Sequence, residues 1–193
     1  MATLKDIKLR IKGVKSTQQI TKAMKMVAAA KLRRATESIM NARPYAKKIS
    51  ILLSHLVDED DLVTNPLFAE REVKNVAVVI VTADRGLCGA FNTNIIKEAA
   101  RYIEEEIKAT GKNYQLYCLG KKGSDYFSKR NYNIGATYPG IFSNLDYTTA
   151  QSLVEELIPK YLDGSIDKVI LIFNEFKSII QQKIIVEQLL PIP

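Results

Sequence analysis

Stepping forward from Leu4 by alternate threes and fours gives Leu4, Ile7, Ile11, Val14, Gln18, Thr21, Lys25, Ala28, Leu32, Ala35, Ile39, Ala42, Ala46, Ile49, Leu53 and Leu56. Thirteen of these sixteen positions are apolar, and the three exceptions are consecutive. That period keeps a single stripe turned toward a companion helix, so it marks a coiled-coil seam rather than a helix folded into a globule. At ~1.5 Å per residue the stretch 1–57 is expected to form a rod roughly 80 Å long. No small domain is that wide, so the rod must lie against something else.

Within the gap the apolar residues move to another face. Ile20, Met24 and Val27 keep helical spacing but leave the seam, and Lys15, Lys22 and Lys25 surround Met24 and Met26. Flexible thioethers beside cations suit an adaptable contact, so one reading is a helix that changes partner along its length. The other is a stutter that merely unwinds the coil.

Charge separates the rod from the rest. Residues 1–50 carry thirteen Lys/Arg against Asp6 and Glu37, a net +11, while the remainder nets −4. Thirteen cations with so little acid repel one another on a free helix. An anionic partner is therefore expected (nucleic acid, anionic lipid or an acidic protein surface), with a solvated helical face as the alternative. The 193 residues suffice for one domain with a core plus an extension. No apolar run reaches the ~20 residues of a membrane span, and the basic start lacks the apolar core of a signal peptide. The expectation is the cytoplasm or another reducing compartment. Cys88 and Cys118 form no disulfide or zinc pattern and read as plain thiols.

Along the chain, Thr3 or Asp6 is placed to cap the helix start, and Pro44 is expected to kink it. The rod gives way to a linker at 58–72, with the acidic run Asp58–Asp61 followed by Asn65-Pro66. From Val73 the texture is that of an α/β domain. Val76 to Thr82 is a β-branched run suited to a strand buried on both faces. A loop at 83–89 leads to a helix of about 92–110, then a strand at 114–119 and a short helix at 121–131. A weak strand at 133–138 precedes a helix at 146–162 with Leu153, Val154, Leu157 and Ile158 as its apolar face and Pro159 disturbing its last turn. A strand at 169–173 and an antiparallel edge strand at 179–186 complete the domain. The expected fold is α/β: a long amino-terminal coiled-coil helix, then a doubly wound, Rossmann-like, mostly parallel sheet over 73–193.

Chemistry is sparse. The loop Asp84-Arg85-Gly86-Leu87-Cys88-Gly89 follows a strand and opens a helix, where such folds bind phosphate. It lacks the full dinucleotide pattern and the Gly-Lys-Ser/Thr of a phosphate loop, so its glycines read as permitting a turn with positive φ. Asp84 has no acidic companion for magnesium on an earlier strand. Cys88 would need a base, and His55, the single histidine, lies on the rod and reads as a surface residue. No catalytic residue, cofactor site or metal site is expected.

The run IKLRIKGVKSTQQITKAMKMVAAAKLRRA (Ile7 to Ala35), with ARPYA (Ala42 to Ala46), resembles the amino-terminal helix of the gamma subunit of F-type ATP synthases. TADRGLCGAFNTNI (Thr82 to Ile95) resembles that family's hallmark loop, and weaker echoes follow in YLDGSIDKVILIFNEF and EQLLPI. The resemblance covers essentially the whole chain, in order. It implies a rotor shaft whose helix pairs antiparallel with a carboxyl-terminal helix inside a hexamer of alternating alpha and beta subunits. Rotation there couples proton passage through a membrane ring to ATP synthesis or hydrolysis on beta. It also implies a foot that touches the ring and the small epsilon subunit, peripheral to the cytoplasmic face of an energy-transducing membrane, in bacteria the inner membrane. The broken seam would face acidic lobes of beta through Lys15, Gln18, Thr21, Lys22, Met24 and Lys25. Arg33, Arg34, Arg43 and the loop residues Asp84, Arg85, Gly86, Cys88 and Gly89 would contact partners nearer the foot. The family's chain runs on beyond a sequence like EQLLPI into a last helix, whereas this sequence stops at Pro193. The resulting expectation is a seam without a partner in the chain, exposed apolar surface and self-association.

Two other readings stand beside the rotor: a nucleic-acid-binding protein using the basic helix, and a small nucleotide-binding α/β module centred on the 84–89 loop. The basic residues are spread around the helix and aromatics are nearly absent from 1–44, which disfavours base stacking and thus nucleic acid.

Overall fold

The computed structural model describes residues 3–56, 64–143, 147–178 and 181–193. The chain divides into two compact units, Met1–Asp58 and Glu59–Pro193.

The first unit is one helix, α1, Leu4–Leu56, of 53 residues. Its start is closed reciprocally. The Asp6 amide donates to Thr3 Oγ1 at 3.3 Å and the Thr3 amide donates to Asp6 Oδ2 at 2.9 Å, so both expected caps act together as a capping box. Those bonds from Thr3 hold the Asp6 carboxyl below its ordinary range. Pro44 lies inside the helix without ending it. None of the helix's residues is buried.

The second unit is a five-stranded sheet in the order β3-β2-β1-β4-β5, with β1 Asn75–Val81, β2 Asn113–Leu119, β3 Ile134–Tyr138, β4 Lys168–Phe176 and β5 Gln182–Leu190. β1 pairs parallel with β2 and β4, β2 pairs parallel with β3, and β5 closes one edge antiparallel to β4. Among the described residues, the α-helices of this unit include α2 (Phe91–Arg101), α3 (Lys121–Ser128) and α4 (Tyr147–Leu162). α2 continues through a π turn at Tyr102–Ile107 and a 3-10 turn at Lys108–Thr110, and the chain then turns at Gly111 with φ 72°. The wider π turn keeps Ile103 and Ile107 buried alongside Ile95 and Ala99.

β1 explains why its sequence is an unbroken apolar run. Val76, Val78 and Ile80 join one core with Ile95, Ile103 and Phe127, while Ala77 and Val79 join the other with Tyr117, Leu157 and Tyr161. Successive side chains alternate faces, and helices cover both.

Several expectations are corrected. α4 buries Leu153, Leu157 and Tyr161, one per turn, whereas Val154 is exposed and Ile158 only half-buried. Pro159, expected to disturb the last turn of α4, lies inside the helix, which runs to Leu162 as expected, and its carbonyl accepts from the Asp163 amide at 2.9 Å. The edge strand begins at Gln182 and runs on to Leu190, and Ile179 lies outside the described residues. The acidic run Asp58–Asp61 also lies outside them. Residues 65–74, most of them read as linker, are bonded to the domain. Tyr161 Oη donates to the Ala69 carbonyl at 2.9 Å, and the Ile192 amide donates to the Leu67 carbonyl at 2.9 Å.

Candidate functional site

On α1 the helical period gathers Gln18, Thr21, Lys22 and Lys25 with Arg10, Gly13, Val14 and Thr17 into one continuous surface. Met24 is exposed on the same stretch, with Met26 and Val27 also open to solvent. The two threonines on this surface do not point their donors outward. Thr21 Oγ1 donates to the Thr17 carbonyl at 2.8 Å and Thr17 Oγ1 to the Gly13 carbonyl at 3.0 Å. Such back-bonding saturates the hydroxyl proton within the helix. What the surface offers a partner is therefore lysine ammonium, the Arg10 guanidinium, the Gln18 amide and methionine. Lys15, Arg34 and Arg43 are exposed, and Arg33 is tied to Glu37 at 2.7 Å, which offsets its charge.

The loop after β1 is organised by Asp84. Its Oδ1 accepts from the amides of Lys121 at 2.9 Å and Gly140 at 2.7 Å, and its Oδ2 from Phe142 at 3.2 Å. One carboxylate thus binds the segments that follow β1, β2 and β3. Burial by itself would raise its pKa, but the amides of Gly140, Lys121 and Phe142 and the charge of Arg85 outweigh that and hold it below the usual carboxylate range. Asp84 is accordingly a tether, with both carboxylate oxygens engaged by backbone amides.

Beneath it, buried Asn92 accepts from the Ala83 amide at 2.9 Å and donates to the Arg85 carbonyl at 3.2 Å. Thr82 Oγ1 accepts from the Gly123 amide at 2.8 Å. Gly120, at φ 94°, passes so close to Thr82 that an added Cβ would lie 2.0 Å from its carbonyl oxygen. Thr82 and Gly120 were not singled out from the sequence, because they meet across nearly forty residues, and Asn92 was not either, although its partners lie within nine residues of it in the loop that leads into α2.

This scaffold presents Arg85, Gly86, Leu87, Cys88 and Gly89 at the surface. The left-handed conformations fall on Leu87 (φ 60°) and Gly89 (φ 59°) and not on Gly86, so only one of the two glycines has the expected role. Leu87 is fully exposed. Cys88 Sγ accepts from Asn92 Nδ2 at 3.1 Å. Cys118 is buried in the sheet, which pushes its thiol up to about 12 and leaves it protonated. α2 starts from Ala90 with no side-chain cap. Among the described residues no group of three His, Cys, Asp or Glu is placed to hold a metal ion, and no helix is long and apolar enough to cross a membrane.

The family model for ATP synthase matches residues 3–193. Over 195 aligned positions that take in all of this chain, it is 52% identical to the ATP synthase gamma chain of Chlorobaculum tepidum, spanning 67% of that protein. It is 54% identical to the gamma chain of Prosthecochloris aestuarii, again over 67% of its length. The chain belongs to the ATP synthase gamma-chain family. Among solved structures it is similar to a chain of the Tetrahymena thermophila mitochondrial ATP synthase central stalk and c-ring, at TM-score 0.69 and 29% identity, covering 89% of this chain and 72% of that one. A rotor chain of the Euglena gracilis enzyme shares the fold at TM-score 0.59 and 21% identity, over 95% of this chain and 61% of that one. A gamma chain is a central-stalk, rotor subunit, and that is the function of this family member. The nucleic-acid and nucleotide-module readings find no support in these relatives.

Proposed function

We propose that this gamma-family chain carries rotation between a proton-driven membrane ring and a catalytic hexamer of alpha and beta subunits, while the chemistry stays on the hexamer. The observation that supports it best is the 53-residue helix without a single buried side chain, joined in one chain to an α/β unit that closes its own cores. A helix that leaves its seam, its lysines and its methionines exposed is built for surfaces that the described residues do not supply. On this reading Lys15, Gln18, Thr21, Lys22, Met24 and Lys25 bear on acidic parts of beta. Arg33, Arg34 and Arg43 and the 84–89 loop contact partners nearer the foot, where the epsilon subunit and the ring belong. The protein is then peripheral to the cytoplasmic face of an energy-transducing membrane, binds no nucleic acid and carries no cofactor of its own.

Reconstitution tests it. Adding the chain to an alpha–beta hexamer is expected to change ATP turnover, and Lys22→Glu with Lys25→Glu is expected to weaken that effect about tenfold at low salt. Raising the ionic strength shrinks the difference, because surface charge contacts are screened within ~10 Å at 0.1 M. Turnover that ignores both the chain and the charge reversal would sink the proposal.

A further inference from the structure

Residues 65–74 have no helix or strand of their own, yet they are fixed at successive points. Asn65 turns the chain, its Oδ1 accepting from the Leu67 amide at 3.0 Å. The Leu67 carbonyl accepts from Ile192, just beyond β5, at 2.9 Å, and its side chain packs on the second core. The Ala69 carbonyl accepts from Tyr161, which is 1% exposed. Then comes Arg71, whose guanidinium divides its donors. Nε pairs with Asp167 Oδ1 at 2.8 Å, one Nη donates to the Tyr161 carbonyl at 2.6 Å and also to the Ile166 carbonyl, and the carbon centre lies 4.4 Å over the Tyr161 ring. Asp167 spends its other oxygen on the amides of Lys74 at 3.0 Å and Asn75 at 2.9 Å, the entry to β1.

We infer that Arg71, clamped on Asp167 and Tyr161, makes this segment a stiff torque-bearing strap, so that Arg71 is a positioning residue for rotary coupling. The inference rests on the rotor reading above. Four features carry it. The segment lies in sequence between the shaft helix and β1, so force passing along the chain between them runs through it. A stretch of irregular chain yields unless its backbone is tied down, and here carbonyls and amides along its length are bonded to Tyr161 of α4, to Asp167 before β4, to Asn113 of β2 and to Ile192 beyond β5. The tie at Arg71 is charge-assisted and forked, which fixes direction as well as distance. Leu67 ties the strap to Ile192, so the segments before β1 and after β5 move as one.

The test uses ATP synthase assembled in sealed vesicles with gamma chains carrying Arg71→Ala, Arg71→Lys, Tyr161→Phe or, as a control, Arg101→Ala. Arg101 forms surface ion pairs with Glu98 and Glu105 away from the strap. Two readouts are taken: hydrogen-exchange protection of the 67–75 amides, and protons pumped per ATP hydrolysed as the opposing gradient builds. Losing the ion pair to Asp167 together with the bonds to the Tyr161 and Ile166 carbonyls is expected to lower protection at least about tenfold in Arg71→Ala. Pumping per ATP should match the unaltered enzyme at zero gradient and fall several-fold as load rises. Arg71→Lys keeps the charge without the fork and should lie between, with Arg101→Ala unchanged. Should Arg71→Ala fail to assemble, Tyr161→Phe, which removes only the bond to Ala69, must show the same load dependence in smaller degree. Full pumping under load despite deprotected amides overturns the inference, as does protection that does not change. An unaltered enzyme whose turnover is indifferent to the gamma chain would instead remove the rotor reading itself.

Discussion

The 53-residue α1 buries no side chain, whereas the seven-residue strand β1 buries five. Both stretches carry many apolar side chains, interleaved with thirteen Lys/Arg in α1 and running almost unbroken in β1. What separates them is where the partner surface comes from. β1 finds helices of its own unit on both faces, and each Val or Ile side chain it removes from water contributes ~1.5–3 kcal/mol. α1 leaves Ile7, Ile11, Leu53 and Leu56 in water and holds its shape by backbone bonds, by a closed first turn and by its length, which spreads the cost of nucleation. Stability in one unit is settled internally, and in the other it is deferred to contacts with other surfaces.

The sharpest way to break that contrast is to cut into each unit alike. Ile80, fully buried at the centre of the sheet, is expected to cost ~2–5 kcal/mol when changed to Ala. Urea unfolding of the α/β unit measures it as a lower midpoint with an unchanged slope. A loss below about 1 kcal/mol would mean that the sheet is not the closed core described here.

Reading the sequence worked where a residue's environment is set by its own neighbours. The seam of α1 is a period, and a period needs no partner to be visible. β1 was legible because a strand covered on both faces is apolar at every position. The reading failed where the deciding contact comes from far along the chain. Tyr161 has the polar tip of a surface residue, and nothing nearby announces that Ala69, 92 positions away, takes its hydroxyl. The preference for Val154 and Ile158 over Tyr161 on α4 is that same error. Asp84 reads from the sequence only as a loop residue for partner contact, and its role as a tether stays hidden because its amide donors, 37 to 58 residues distant, leave no local pattern. The site on α1 was legible as a set of residues, while the inward turn of the Thr21 hydroxyl is a matter of rotamer.

Asp84 and Asp167 sharpen the contrast through pH, because both carboxylates serve the α/β unit. For both, backbone amides and an arginine charge overcome burial and lower the pKa. A group whose folded pKa lies below its unfolded value of ~3.9 stabilises the fold fully above that value and loses its contribution as pH falls through the folded pKa. The α/β unit should therefore weaken on acidification below about pH 4. Asp84→Asn is expected to cost ~1–2 kcal/mol at pH 7 and progressively less toward pH 2, because the charge it removes is by then neutralised in the parent as well. Thermal unfolding across pH 2–7 gives the two curves, and parallel curves would exclude the tether as an ionised group. The helicity of α1 should follow neither, apart from the fraying of its first turn as Asp6 protonates.

The smallest effect separates an exposed seam from a hidden one. Ile11 and Leu53 are 51% and 55% exposed. Changing both to Ala removes no buried side chain and raises intrinsic helix propensity, by at most ~0.7 kcal/mol for each residue. Helicity of the isolated chain should stay level or rise slightly, the reverse of Ile80→Ala. Association should move the other way. Open apolar stripes draw copies together, so sedimentation of the unaltered chain is expected to show concentration-dependent self-association that the double substitution weakens. If the substitution instead unfolded the helix in a chain that sediments as a sharp monomer, the seam would have to be packed within the molecule.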